Sequence, residues 1–129
     1  MKIKNGISLY NFAKTIIPGG TTLFSKRSEL HLPDKWPAYF MKAKQTSIWD
    51  LKGIKYLDMF CAVGTSVLGY CNHNVNKSVS NNINKGNMTS LNCPEEVYLS
   101  KKIIKHHTWA SMAKFTRGGG EANAVAIRI

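Results

Sequence analysis

Apolar residues recur at helical spacing in three stretches of this chain and alternate at strand spacing in one. Leu9, Phe12, Ala13 and Ile16 share a face of a short helix predicted over 8–16, which Pro18-Gly19-Gly20 brings to a stop. Residues 21–37 combine Pro33 and Pro37 with mixed charges and show no period, so they read as irregular chain crossing a surface. From 38 to 60 the pattern becomes strand-like: AYFMKA, SIWD, a turn at Leu51-Lys52-Gly53, then IKYLDMF, a small antiparallel meander. Val75, Val79 and Ile83 recur every fourth residue after Asn74, a suitable N-cap, and Gly86 is a fitting stop, which predicts a helix over 75–85. A further helix begins near Pro94, with Asn92 and Glu95 as a capping-box-like pair. Glu95 and Glu96 suit its positive end, and Lys105, His106 and His107 its negative end. Met112 to Thr116 reads as a short strand. Glu121 to Ile129 reads as the first turns of a helix with Ala122, Val125, Ala126 and Ile129 inward.

The join between these last two elements is Thr116-Arg117-Gly118-Gly119-Gly120-Glu121-Ala122. Three glycines there let the backbone approach an anion closely and adopt positive φ, while the helix that follows offers unpaired N–H groups and the positive end of its dipole. A strand, a glycine turn and a helix make the first half of a βαβ unit. The returning parallel strand is not in this sequence, so the strand is expected to leave an unpaired edge and the core to be incomplete.

Composition changes this picture in two ways. With 43% hydrophobic residues the chain is globular in character, and its 18 basic against 7 acidic residues give a net charge of +11, which attracts anionic partners at long range. The lysines are spread from Lys2 to Lys114, not clustered with stacking aromatics, which favours a solvated lysine-rich surface over a nucleic-acid groove. Cys61, Cys71 and Cys93 are widely spaced without a CxxC pair, and are expected to be reduced, buried thiols. The adjacent His106 and His107 cannot share a helix face as a metal pair does, and His31 and His73 fall in expected loops without spaced partners, so no metal site is predicted. The first twenty residues mix lysines and asparagines among apolar positions, unlike a signal peptide or a membrane span, which points to a cytoplasmic protein.

In order, Ile17-Pro18-Gly19-Gly20, the meander Trp49 to Asp58, Leu68-Gly69-Tyr70, Gly86, Glu96 and the run Phe115 to Arg128 resemble the N-terminal third of class III pyridoxal-phosphate-dependent aminotransferases. The resemblance is to the glutamate-1-semialdehyde 2,1-aminomutase branch and spans residues 15–129. It implies an incomplete fold type I α/β architecture. Residues 1–72 would hold the helix, linker and meander of the small domain, and 73–129 the start of the cofactor-binding large domain.

By this resemblance Gly118, Gly119 and Gly120 occupy the segment that is usually Ser-Gly-Thr and binds the phosphate of pyridoxal 5'-phosphate (PLP), so only backbone donors remain here. Glu121 would cap the helix start. Lys26, with Arg27 beside it, falls where the aminomutase has the arginine that holds the substrate carboxylate, and lysine offers a point charge in place of a fork. Val63 stands where the aminomutase has a tryptophan and Leu23 where it has a serine, which argues against glutamate semialdehyde and leaves the small-molecule amino donor and acceptor open. The Schiff-base lysine of the family lies beyond the equivalent of Ile129, and none of the fifteen lysines here matches it. The chain therefore reads as a fragment, inactive alone, whose expected partner is a second copy in a homodimer or a missing C-terminal portion. The competing reading is a non-catalytic basic module that binds a partner chain or an anionic polymer.

Overall fold

The computed structural model describes residues 5–86 and 89–129; Lys2, the first of the spread lysines, lies outside them. The chain divides into two compact units, Met1–Lys85 and Gly86–Ile129.

The first unit opens with α1, Gly6–Ile16, started by Asn5, whose side chain accepts the Ile7 N–H at 3.0 Å. The expected amphipathic face is buried only in part, at Ala13, with Leu9 half-buried. Gly6, Tyr10 and Ala13 are buried, whereas Phe12 and Ile16 are exposed. Tyr10 wins because its ring packs under the Pro18–Gly20 turn, where Gly20 (φ 73°) leaves no room for a Cβ, which would meet that ring at 2.8 Å. The Tyr10 hydroxyl then donates to Glu29 Oε2 at 2.8 Å, with Lys14 Nζ 3.6 Å from the same carboxylate. One phenol thus ties helix, glycine turn and linker together. The linker carries two single-turn 3₁₀ segments, Phe24–Lys26 and Ser28–Leu30, and is otherwise irregular, as its lack of period implies.

The meander is present as expected: β1 Phe40–Lys44, β2 Ser47–Asp50 and β3 Lys55–Leu57, antiparallel in the order β1-β2-β3. Cross-strand register sets Ala43, Ile48 and Tyr56 in one row and Lys42, Trp49 and Lys55 in the next. Because side chains alternate across a strand, these rows face opposite sides of the sheet. Both lysine ammonium groups lie over the indole, at 4.6 and 5.6 Å from its centroid. The second turn is organised by Asp50, which is buried and whose Oδ1 accepts the N–H groups of Lys52 and Ile54, each at 2.9 Å. Gly53 supplies the left-handed residue that this turn needs, at φ 84°.

Gln45, between β1 and β2, pairs with Tyr70 through two backbone bonds of 2.8 Å. This pairing closes the segment 59–69 into a loop. The helix after it, α2, spans His73–Ile83 and starts two residues earlier than predicted: Asn72, not Asn74, is the N-cap, accepting the N–H groups of Asn74 and Val75. His73 is consequently helical, not in a loop. Val75, Val79 and Ile83 form the expected stripe but remain exposed.

In the second unit α3 runs Pro94–His106. Asn92 does not cap it. Cys93 holds the N-cap position, and its thiol donates to Glu95 Oε2 at 3.0 Å. Lys105 and His106 occupy the last turn and His107 the C-cap, as charge complementarity predicts. Residues 112–116 form no strand, because a strand is defined by a paired neighbour and none of the described residues pairs with them. α4, Gly119–Arg128, follows, and the residues expected inward are exposed apart from a half-buried Val125.

The cysteines also depart from expectation. All three are free, but Cys71 and Cys93 are exposed and Cys61 only half-buried, since each sits in a turn or at a helix start outside the packed residues. Apolar burial is slight throughout: Tyr10 and Ala13 are the buried hydrophobic residues among those described. Two self-sufficient units of these lengths would together expose about 8,000 Å². This chain exposes 11367 Å².

Candidate functional site

The glycine turn enters α4 through Gly118, extended at φ −168° and ψ 166°. The first i→i−4 bond runs from Ala122 N to Gly118 O at 3.0 Å, so the N–H groups of Gly119, Gly120 and Glu121 precede it and point out of the helix start. Thr116 Oγ1 donates to Gly118 O at 3.1 Å and fixes the approach. Glu121 reaches back to the preceding segment: Oε2 accepts the Arg117 N–H at 3.1 Å, and Oε1 meets the Arg117 guanidinium at 2.7 Å. Glu121 thus braces the segment before the helix and does not cap the helix start as expected: the N-cap, Gly118, has no side-chain cap bond.

Positive φ is not what these glycines provide. None of Gly118, Gly119 and Gly120 has it, and a Cβ added at any of them would meet nothing within 4 Å. Neither backbone conformation nor packing within the chain therefore requires glycine here. What remains is an uncovered helix start whose donors an anion can reach without steric hindrance, and this suits a phosphate monoester held by backbone alone. PLP is such a ligand by its phosphate; the three glycines have no hydroxyl to add to those donors.

Lys26 belongs to the other unit. It ends the Phe24–Lys26 turn, exposed, with its backbone N–H on Leu23 O at 3.0 Å. Its neighbour Arg27 turns away, half-buried against Gly19, with its guanidinium 5.0 Å from the Phe24 ring and an Nε without a partner. The two cations that the sequence sets side by side thus have different settings. Lys26 is the more exposed of the two.

Sequence reasoning missed the most organised polar pair of the first unit. The Tyr70 hydroxyl donates to Asp58 Oδ2, and Asp58 also accepts the Phe60 N–H at 2.8 Å through Oδ1. This contact pushes the Tyr70 phenol up to about 12, and burial adds to it. The same bond holds the Asp58 carboxyl below its ordinary value against opposing desolvation. The twelve-residue separation of these partners carries no periodic signal. Hollows in the two units lie elsewhere: one of about 370 Å³ includes Val97, Ser100 and Phe115, another of about 260 Å³ includes Tyr10, Ser28 and Trp36, and neither is lined by Lys26 or the three glycines. Among the described residues no group of three or more His, Cys, Asp or Glu side chains is placed to hold a metal, and no helix is long and apolar enough to cross a membrane.

An antiparallel meander with a glycine-started helix in a mixed α/β chain corresponds to part of a fold type I PLP-dependent transferase. The FumI protein of Sphingopyxis sp. MTA144, solved as its PLP internal aldimine, superposes with a TM-score of 0.85 over 96% of this chain and 30% of its own, at 26% identity. The chain belongs to the class-III aminotransferase family, whose profile matches residues 32–129. It is 31% identical over its whole length to the 3-aminobutyryl-CoA aminotransferase of Cloacimonas acidaminovorans and to the glutamate-1-semialdehyde 2,1-aminomutase of Methanothrix thermoacetophila. It spans 31% and 29% of those two proteins. The family uses PLP.

Proposed function

We propose that this chain contributes to a PLP-dependent enzyme that moves an amino group between or within small molecules, with Gly118, Gly119 and Gly120 holding the cofactor phosphate and Lys26 forming part of the substrate wall. The observation that supports this best is the start of α4, where unhindered backbone donors precede the first helical bond. Bound PLP supplies the electron sink for the chemistry. The chain's own work is to orient the phosphate with the α4 dipole and to offer Lys26 to a substrate carboxylate. Residues from the rest of a class-III protein complete the site, and 1–129 alone is expected not to turn over.

Adding PLP to purified 1–129, trapping adducts with borohydride and mapping them by mass spectrometry tests this reading. Scattered, substoichiometric lysine adducts without transaminase activity are expected. One stoichiometric lysine adduct accompanied by turnover would overturn it. The second reading, a basic binding module, draws on the Lys42–Trp49–Lys55 row, which sets two cations over one aromatic ring. Steep loss of binding to an anionic polymer with added salt would favour it.

A further inference from the structure

The meander has one apolar face and one basic one. Strand alternation places Ala43, Ile48 and Tyr56, all half-buried, on the first, and the Lys42–Trp49–Lys55 row with Lys44, Ser47 and Leu57 on the second. Lysines that are spread along the sequence are thereby gathered around an indole. Lys42, Lys44 and Lys55 are exposed, and the ion pairs Lys14–Glu29 and Arg117–Glu121 do not involve them. The single acid between Phe40 and Leu57 is Asp50, which is buried, with Oδ1 accepting the Lys52 and Ile54 N–H groups and Oδ2 the Tyr56 hydroxyl at 3.3 Å. The basic face therefore carries no carboxylate of its own. Enclosing three unpaired ammonium groups in a protein interior is strongly unfavourable, so this face stays in water however the fold is completed.

We infer that this face binds single-stranded nucleic acid, with one base stacked on Trp49 and Lys42, Lys44 and Lys55 meeting the phosphates to either side. The inference goes beyond amino transfer and does not depend on it; it rests on the second reading above, the basic module, to which it gives a surface and a ligand class. Charge makes the ligand anionic. Lys42 and Lys55 stand two strand spacings apart, about 10 Å, with Trp49 between them, in a chain whose net charge of +11 draws polyanions in. The indole decides among polyanions. An ammonium over an exposed ring is held weakly, so each lysine can leave Trp49 for a phosphate while a base takes its place on the ring, the stronger contact. A duplex keeps its bases stacked on one another, and a three-stranded face is too broad for a groove that admits a helix or a two-stranded ribbon. Anionic lipid would suit the lysines, but a surface seated in a membrane needs more apolar area than Trp49 and Leu57 offer.

The test follows the anisotropy of a short fluorescein-labelled oligothymidylate titrated with the chain over a range of salt concentrations, with a duplex of equal length and phosphatidylglycerol vesicles alongside. The single strand is expected to bind more tightly than the duplex, W49L to weaken binding roughly tenfold, and W49F to restore most of that loss. The double variant K42Q/K55Q should flatten the salt slope by about 1.4, as the loss of two phosphate contacts predicts. K101Q/K102Q removes the same charge from exposed positions of α3 and should weaken binding far less. Ultraviolet cross-linking of the oligonucleotide to the unaltered chain, mapped by mass spectrometry, needs no variant and is expected on the peptide that holds Trp49. Cross-links at Trp36 or Trp109 in its place, equal losses in the two lysine variants, or a duplex bound as tightly as the single strand would overturn the site. Vesicle binding that depends on Trp49, without binding of the oligonucleotide, would show a lipid surface to be the occupant, against the inference. No binding of either nucleic acid or of vesicles would overturn the basic-module reading as well, and each of these results leaves the amino-transfer reading standing.

Discussion

Three side chains of the first unit, Tyr10, Asp50 and Asp58, do more to hold local structure than any residue chosen for chemistry. Asp50 is a short side chain before a tight turn, and its two accepted N–H bonds replace ladder bonds that the turn cannot make. Asp50→Ala is therefore expected to cost about 2 kcal/mol, read as faster amide exchange at Lys52 and Ile54. The Asp58–Tyr70 bond gives a pH prediction whose two signs differ. Tyr70 is raised from 10.0 to about 12, so its contribution is complete below 10.0 and is lost as pH rises through the folded value. Asp58 is lowered from 3.8, so its contribution is complete above 3.8 and is lost as pH falls through the folded value. Protection of the Gln45 and Tyr70 amides should accordingly be greatest between these limits. In Tyr70→Phe the alkaline dependence should vanish, and a titration of tyrosinate absorbance should lose its most alkaline component.

At the scale of elements, the glycines of α4 allow structure and function to be set against each other. In the first turn of an exposed helix, with nothing within 4 Å of an added Cβ, Gly120→Ala should stabilise α4 by about 0.5–1 kcal/mol by removing backbone freedom from the unfolded chain. Circular dichroism of the isolated chain should register more helix. If these glycines hold the cofactor phosphate as proposed, the same methyl obstructs the backbone's approach to it, and the PLP affinity of a completed enzyme should fall. A gain in both would remove the cradle role. The meander and all four helices were legible in the sequence because period and turn residues are local signals, as Asp50 and Gly53 illustrate. What was not legible depended on contacts across the chain. Tyr10 displaced Phe12 and Ile16 from the buried face because the Pro18–Gly20 turn and Glu29 meet at its phenol, and no spacing within α1 announces that. The strand at 112–116 was read from its residues, but strand formation requires a neighbour. For the candidate site, glycine identity gave the location of the turn while its use was misjudged: extended and helical backbone, not positive φ, opens the donors.

For the molecule as a whole, the outward apolar surface is the property with the widest consequences. Val75, Val79 and Ile83 on α2 are exposed at the spacing of one helix face, which a layered α/β protein would bury, and Val97 and Leu99 on α3 and Ile127 and Ile129 around the end of α4 are exposed as well. Each unit then relies on turns and short-range hydrogen bonds, with little of the apolar transfer that makes unfolding cooperative. The isolated chain should therefore bind a hydrophobic dye such as ANS strongly and melt over a broad range without a sharp heat-absorption peak, while its far-ultraviolet spectrum still reports helix. The first unit, with Tyr10, Asp50 and the Asp58–Tyr70 bond, should retain protected amides longest. Supplying the remainder of a class-III protein should remove dye binding and sharpen the melt together, because covering the helix faces is what restores cooperativity. A sharp calorimetric transition in 1–129 shown to be monomeric would mean that the exposed faces are not what limits its stability, and would count against completion by a partner.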